Sequence, residues 1–159
     1  MKILTFSEKE TERVGKLIAS CLQGEEVIFL IGGLGVGKTV LARGIAEGAG
    51  VERRLRSSSF VLVSHYKGRK FNIYHVDLYR LEKRELPDIG LDEFLGEGVI
   101  IVEWADRLGD LLKPSISIKL DIIKGNDRII EICGEEKISE CIREEIKKDA
   151  YFGDRHLLL

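Results

Sequence analysis

Residues 32–39, Gly-Gly-Leu-Gly-Val-Gly-Lys-Thr, crowd four glycines ahead of a lysine and a hydroxyl residue, a composition that suits a tight loop and neither a helix nor a strand. The stretch fits G-x-x-x-x-G-K-[ST] without a gap. Its flanks suit the pattern: Val27-Ile28-Phe29-Leu30-Ile31 is a short apolar run that predicts a strand, and Lys38 to Glu47 predicts a helix with Leu41, Ala42, Ile45 and Ala46 on one face. Strand, loop and helix in this order predict an α/β chain built around a P-loop.

The spacing carries a specific chemistry. Glycines admit positive φ and let the backbone approach an anion, so successive amide N–H groups and the helix N-terminus can surround phosphates. Lys38 would set a compact charge at the β- and γ-phosphates, and the Thr39 hydroxyl would hold Mg²⁺. Gly33, Gly35, Val36, Gly37, Lys38, Thr39 and Val40 are therefore the expected nucleotide contacts.

A chain of 159 residues, 44% hydrophobic and 33% charged, predicts one ordinary globular domain. The domain is expected over residues 1–148, with 149–159 as a tail that is either a disordered end or an apolar docking segment. No membrane-spanning run or signal peptide is read, so a cytoplasmic location with no membrane partner is the expectation. Cys21, Cys133 and Cys141 lack metal-type spacing and read as core filler, and His65, His75 and His156 lack partners at metal-ligand spacing, so no zinc site is expected. The formal charge of −2 is uneven: residues 51–84 hold nine Lys or Arg against three Asp or Glu. That basic middle is a candidate face for RNA or an acidic protein, against the plainer reading of a solvated surface.

Ser7 can cap a helix running to about Leu22, with Glu10 as its capping-box partner. Phe60 to Tyr66 and Lys70 to Val76 read as a hairpin turning at Lys67-Gly68-Arg69. Gly98 to Val102 reads as a central parallel strand, and short helices are expected over Gly90–Leu95 and Asp106–Leu112. Ile116 to Ile122 and Arg128 to Cys133 form a second hairpin about Gly125-Asn126-Asp127, and Glu136 to Lys148 forms a closing helix. The expected architecture is a single P-loop NTPase-like domain with a mainly parallel central sheet, antiparallel hairpin additions and helices on both faces.

Nucleotide hydrolysis requires acids near the phosphates, and two carboxylates end predicted strands. Glu103 follows Val99 to Val102 in the position of a Walker B acid, and Asp77 follows Ile73-Tyr74-His75-Val76. With Lys38 they are the catalytic candidates, and with Thr39 the metal candidates. Ser59, in Ser57-Ser58-Ser59-Phe60, is a candidate γ-phosphate sensor set against a plain polar loop. Trp104 reads as packing rather than as an adenine stack.

Four segments in one order resemble the tRNA threonylcarbamoyladenosine biosynthesis ATPase family, TsaE. They are Gly-Leu-Gly-Val-Gly-Lys-Thr at 33–39, Ser-Phe-Val-Leu-Val at 59–63, His-Val-Asp-Leu-Tyr-Arg-Leu at 75–81 and Val-Glu-Trp-Ala at 102–105, with Leu91-Asp92-Glu93 as a fifth match. The resemblance implies a small ATPase using ATP and Mg²⁺, weak alone, which assists a two-protein transferase complex of TsaB and TsaD type. It implies phosphate and Mg²⁺ binding at Lys38 and Thr39, and hydrolysis dependent on Asp77 and Glu103, with their division of labour left open. Transfer RNA would be met indirectly or through the basic segment 51–84. The family usually has Ser-Pro-Thr-Phe where this chain has Ser57-Ser58-Ser59-Phe60, which frees φ at position 58.

Three other readings stay in view. A small-molecule kinase would need an arginine-bearing lid and an acceptor region where a hairpin is expected. A nucleotide-gated assembly module would hydrolyse only incidentally. A GTP switch finds D-x-x-G at Asp106–Gly109 but no Asn-Lys-x-Asp partner.

Overall fold

The computed structural model describes residues 1–56 and 62–158. In chain order the strands and α-helices are β1 (Lys2–Thr5), α1 (Glu8–Ser20), β2 (Val27–Ile31), α2 (Lys38–Gly48), β3 (Val63–Tyr66), β4 (Ile73–Asp77), β5 (Val99–Glu103), β6 (Ile116–Lys124), β7 (Asp127–Gly134), α3 (Glu136–Lys148) and β8 (Leu157–Leu158). They make one sheet ordered β3-β4-β5-β2-β6-β7-β1-β8. Its centre, β4-β5-β2-β6, is parallel, and every strand outside it pairs antiparallel. This is the expected P-loop-type architecture with hairpin additions.

Alternation along β2 and β5 explains why these strands are apolar throughout. Ile28, Leu30, Val99 and Ile101 join a core with Val14 and Ile18 of α1, Leu41 and Ile45 of α2, and Ile142 and Ile146 of α3. Phe29, Ile100 and Val102 point the other way, into a second core with Leu86, Leu91 and Leu108. A strand covered on both sides has no polar face to show. Helices do cover both faces, but unequally: the α-helices contribute to the first core, while the second is roofed by 3-10 helices at Lys83–Ile89, Leu91–Phe94 and Ala105–Leu108. β6, by contrast, buries Ile116, Ile118 and Leu120 and leaves Lys119 and Asp121 exposed, as its alternating sequence predicts.

The Ser7 hydroxyl accepts the Glu10 N–H (3.2 Å), capping α1 as expected, whereas the Glu10 carboxylate reaches one residue further back to accept the Phe6 N–H (2.6 Å). Two glycines let α1 and α2 touch backbone to backbone. A Cβ on Gly15 would lie 2.5 Å from the Leu41 carbonyl oxygen, and one on Gly44 would lie 2.0 Å from that of Glu12. Any larger residue at either place would force the two helices apart.

Several expectations need correction. β1 was not foreseen, because a four-residue strand at a sheet margin leaves little periodicity to read. Among the described residues the first hairpin pairs Val63–Tyr66 with Ile73–Val76, since residues 67–72 turn back to bond Gly50 and Ala49 instead of extending the ladder; Phe60 and Val61 lie outside the described residues. Within residues 149–158, Leu157 and Leu158 pair with Ile3 and Lys2, and Phe152 and His156 are buried. There His156 accepts the Gly153 N–H at Nδ1 (3.0 Å) and packs edge-on against Phe6 and Phe152. Cys21 and Cys141 are not simple filler but a disulfide between the C-cap of α1 and α3, while Cys133 is exposed. A separation of 120 residues left no spacing cue for that pair.

The disulfide lies on the same seam as a forked ion pair, in which Arg13 Nε donates to both Asp149 oxygens (2.9 and 3.0 Å). Burial opposes charge on Asp149, but Arg13 and the Tyr151 N–H hold its carboxyl below the usual carboxylate range. The stabilisation this gives is present above the ordinary carboxylate pKa and is lost as pH falls through the depressed folded value. Replacing both Cys21 and Cys141 by Ser should lower unfolding free energy by about 2–5 kcal/mol. Urea denaturation of the oxidised protein and the double variant would measure this, and equal midpoints would refute a stabilising clasp.

Candidate functional site

The P-loop leaves the C-terminal end of β2 and enters α2 through Gly37, whose φ of 111° is the left-handed conformation that favours glycine. From there the first turn of α2 presents Lys38 and Thr39 toward the ends of β5 and β4. In the parallel ladder Asp77 stands directly opposite Glu103, and His75 opposite Ile101. Side chains two residues apart on a strand share a face, so His75, Asp77 and Glu103 all project toward α2.

Glu103 is 3% exposed and is held from two sides. The Thr39 hydroxyl lies 3.1 and 3.2 Å from its two oxygens, and His75 Nε2 lies 2.5 Å from Oε2. Asp77 sits nearer the surface and accepts the Tyr79 N–H at Oδ1 (3.0 Å), which bends the chain after β4. Lys38, 5% exposed, donates to the carbonyls of Gly32 (2.7 Å) and Gly33 (2.6 Å), and its ammonium lies 4.2 Å from the Trp104 ring centroid. Burial pushes the Lys38 ammonium below the ordinary lysine value, while the carboxylates of Glu103, Asp77 and Asp106 pull the other way.

Trp104 is the one non-glycine residue with positive φ (60°) among the described residues. That conformation costs about 1–2 kcal/mol for a side chain of this kind. It turns the chain out of β5 so that Glu103 faces α2 while the indole swings over the lysine. Arg107 holds the turn in place: its Nη1 donates to the carbonyls of Leu78 (3.3 Å), Tyr79 (2.8 Å) and Leu81 (3.0 Å), and its guanidinium lies near the rings of Trp104 and Tyr79. Trp104 thus forms part of the pocket rim.

These groups enclose a pocket of about 570 Å³, with Gly35, Gly37, Lys38, Thr39 and Val40 on one side and Asp77, Glu103 and Trp104 on the other. Gly33 and Val36 are not on its wall: the Gly33 carbonyl anchors Lys38, and the Val36 side chain is packed into the first core. Ser59 lies outside the described residues. Sequence reasoning passed over His75, although its position two residues before Asp77 on a strand was the available signal. It also missed Arg128, which braces the loop from β7 by donating to the Val36 carbonyl (2.9 Å), a contact across 92 residues that no local pattern reveals.

A hydroxyl and two carboxylates at the mouth of a P-loop form a hard-oxygen set of the kind that suits Mg²⁺, and an ammonium beside loop amides suits phosphate. Fold and loop together define an α/β domain of the P-loop type. The family model for threonylcarbamoyl adenosine biosynthesis protein TsaE matches residues 5–130. The chain is 37% identical to the tRNA threonylcarbamoyladenosine biosynthesis protein TsaE of Bacillus subtilis over 133 residues, covering 83% of each chain. It is likewise 37% identical to the Aquifex aeolicus protein of that name, covering 82% of this chain and 94% of the relative. The crystal structure of Bacillus subtilis YdiB superposes with a TM-score of 0.76 at 31% identity, covering 91% of this chain and 93% of the other. The chain belongs to the TsaE family.

Arg107 bonds the carbonyls of Leu78, Tyr79 and Leu81 and not the side chains of Lys38, Thr39, Asp77 or Glu103, so it acts through the turn it ties. Arg107→Ala should lower stability by about 1–3 kcal/mol and shift Trp104 emission to the red as the indole gains solvent. Fluorescence spectra together with urea titration check both, and an unchanged spectrum would remove the positioning role.

Proposed function

We propose that this protein binds ATP with Mg²⁺ in the pocket between the P-loop and the ends of β4 and β5, and hydrolyses it in support of tRNA threonylcarbamoyladenosine formation. The observation that carries the proposal is the junction of Thr39 and Glu103 beneath Lys38, with Asp77 alongside in register. Membership of the TsaE family supports the biosynthetic setting.

In this reading the amides of residues 33–39 and the start of α2 cradle the phosphates. Lys38 turns from the Gly32 and Gly33 carbonyls to the β- and γ-phosphates, which offer its ammonium a stronger partner than neutral oxygens do. Thr39 and Glu103, already in contact, are the groups that would hold Mg²⁺, with Asp77 near enough along the ladder to reach its water shell. When bound, the metal supplies charge neutralisation at the β- and γ-oxygens. His75 fixes the orientation of Glu103, and Asp77, less enclosed, orients the attacking water. Trp104 and Tyr79 form the rim that limits bulk water at the phosphates.

The chain would work as an accessory to a transferase complex of TsaB and TsaD type, with turnover low until that complex is engaged. No acceptor-binding region of a kinase follows α2 among the described residues, where β3 and β4 form a hairpin. That favours water over a metabolite as acceptor.

Three variants test the assignment. Lys38→Ala should weaken ATP binding by about 30-fold or more, read by Trp104 fluorescence or calorimetry. Asp77→Asn should retain binding yet lose about 100-fold or more in turnover. Glu103→Gln should raise the Mg²⁺ concentration needed for half-maximal turnover. Wild-type turnover in both acid variants, or no stimulation of the native protein by the partner complex, would overturn the proposal.

A further inference from the structure

The sheet has an open margin at β3, and the chain just after α2 runs along it. Val51 forms an antiparallel bridge with Gly68, the Arg69 N–H donates to Gly50 and the Lys70 N–H to Ala49. Arg53 Nη2 donates to the His65 carbonyl (3.2 Å), its guanidinium lies 4.7 Å over the Tyr66 ring, and the Arg56 N–H donates to the Tyr66 hydroxyl (3.4 Å). Two basic stretches that are separate in sequence are thereby laid side by side. Arg53, Arg54, Arg56, Lys67, Arg69 and Lys70 are all exposed, with Glu52 the one acid among residues 49–56 and 62–70. Among the described residues none of these six side chains enters an ion pair.

Two further observations indicate what such a strip would meet. Protein interfaces gather aromatic and apolar side chains at their centre, yet none of the exposed large hydrophobic residues falls in these stretches; they lie at 34, 79, 95, 111, 122, 123, 151 and 158. The strip does carry an exposed flat ring. His65 stacks on Tyr74 (4.7 Å, 9°), which stacks on Phe94 (4.7 Å, 28°), a ladder that ends at solvent on the face of β3 opposite the Tyr66 ring, while the His65 carbonyl accepts from Arg53. Cations without ion pairs along a strand margin, and a supported ring on that same strand, are the elements that hold a phosphate backbone and stack an unpaired base.

We propose that the β3 margin is an RNA-binding surface on which Arg53, Arg54, Arg56, Lys67, Arg69 and Lys70 track the phosphates and His65 stacks a base. The choice of tRNA as the RNA rests on the function proposed above, whereas the surface itself rests on charge and geometry. The site is separate from the nucleotide pocket. β3 begins next to Leu62, which is on the pocket wall, and runs to Tyr66 opposite Ile73, at the end of β4 remote from Asp77. RNA and ATP can therefore be bound together, with β3 joining their sites.

The test is fluorescence anisotropy with fluorescein-labelled unmodified tRNA and the full-length protein, between 50 and 200 mM KCl. If all six cations met phosphates, log affinity against log salt would slope at about −4 to −5. Arg54→Glu, Lys67→Glu and Lys70→Glu combined should weaken binding about tenfold or more and flatten the slope by about 2. The matching triple Gln variant should fall between these and the native chain, which guards against loss of folding in the reversed one. His65→Ala should cost about fivefold or more without changing the slope. Absence of tRNA binding at 50 mM KCl would overturn the inference, as would unchanged affinity in the triple variants. Equal competition by polyglutamate would overturn it in favour of an acidic protein. ATP binding followed by Trp104 in the same samples separates the two proposals: a chain that binds and hydrolyses ATP but ignores tRNA defeats only this one, and a chain that binds tRNA without ATP turnover defeats only the other.

Discussion

Glu103 is the constraint around which the molecule is organised. A carboxylate this deeply buried costs several kcal/mol unless it is paired and hydrogen-bonded, and its partners come from two other elements, Thr39 on α2 and His75 on β4. Satisfying it therefore fixes the rotation of α2 and the register of β4 against β5 together. Once β4 is in that register, Asp77 has no freedom left: it stands beside Glu103 at the same strand end. Lys38, one residue before Thr39, is carried into place by the same helical turn. A single buried charge thus joins the loop, the helix and two strands into one site.

Much of this was legible in the sequence because the local rules agree with one another there. The glycine-rich loop lies between an unmistakable strand and an amphipathic helix, and Glu103 ends an apolar run that only a doubly covered strand explains. The closing helix was readable to the residue, since Glu136–Lys148 carries its own apolar stripe and basic last turn. What stayed hidden depends on pairings between distant segments. β1 and β8 gain their stability from each other and from β7, and so have little local pattern. The Cys21–Cys141 bond and the brace from Arg128 to Val36 join residues 120 and 92 positions apart. His75 was overlooked for another reason: a histidine without a neighbour at metal-ligand spacing looks solitary until period-two geometry is applied to its strand. Ser59, by contrast, lies outside the described residues, and its assignment is carried by sequence alone.

The P-loop class accounts for the pocket, and the TsaE family for the company of motifs around it. The β3 margin belongs to neither argument. It arises because residues 49–56 fold back along the hairpin, which no motif announces and which turns two ordinary charge runs into one continuous strip.

The unequal covering of the sheet has a mechanical meaning. On one side, three α-helices, two of them joined by a disulfide, bear down on the strands. On the other side the cover is made of 3-10 turns, whose poorer hydrogen bonds and short lengths yield more readily. The pocket straddles this divide. Its floor, at Lys38 and Thr39, is fastened to the stiff side, and its rim, at Tyr79 and Trp104, hangs from the compliant one. A body pressing on that rim could reshape the wall at Tyr79 and Trp104 while the floor at Lys38 and Thr39 stays still, which would separate holding the proposed nucleotide from timing its turnover.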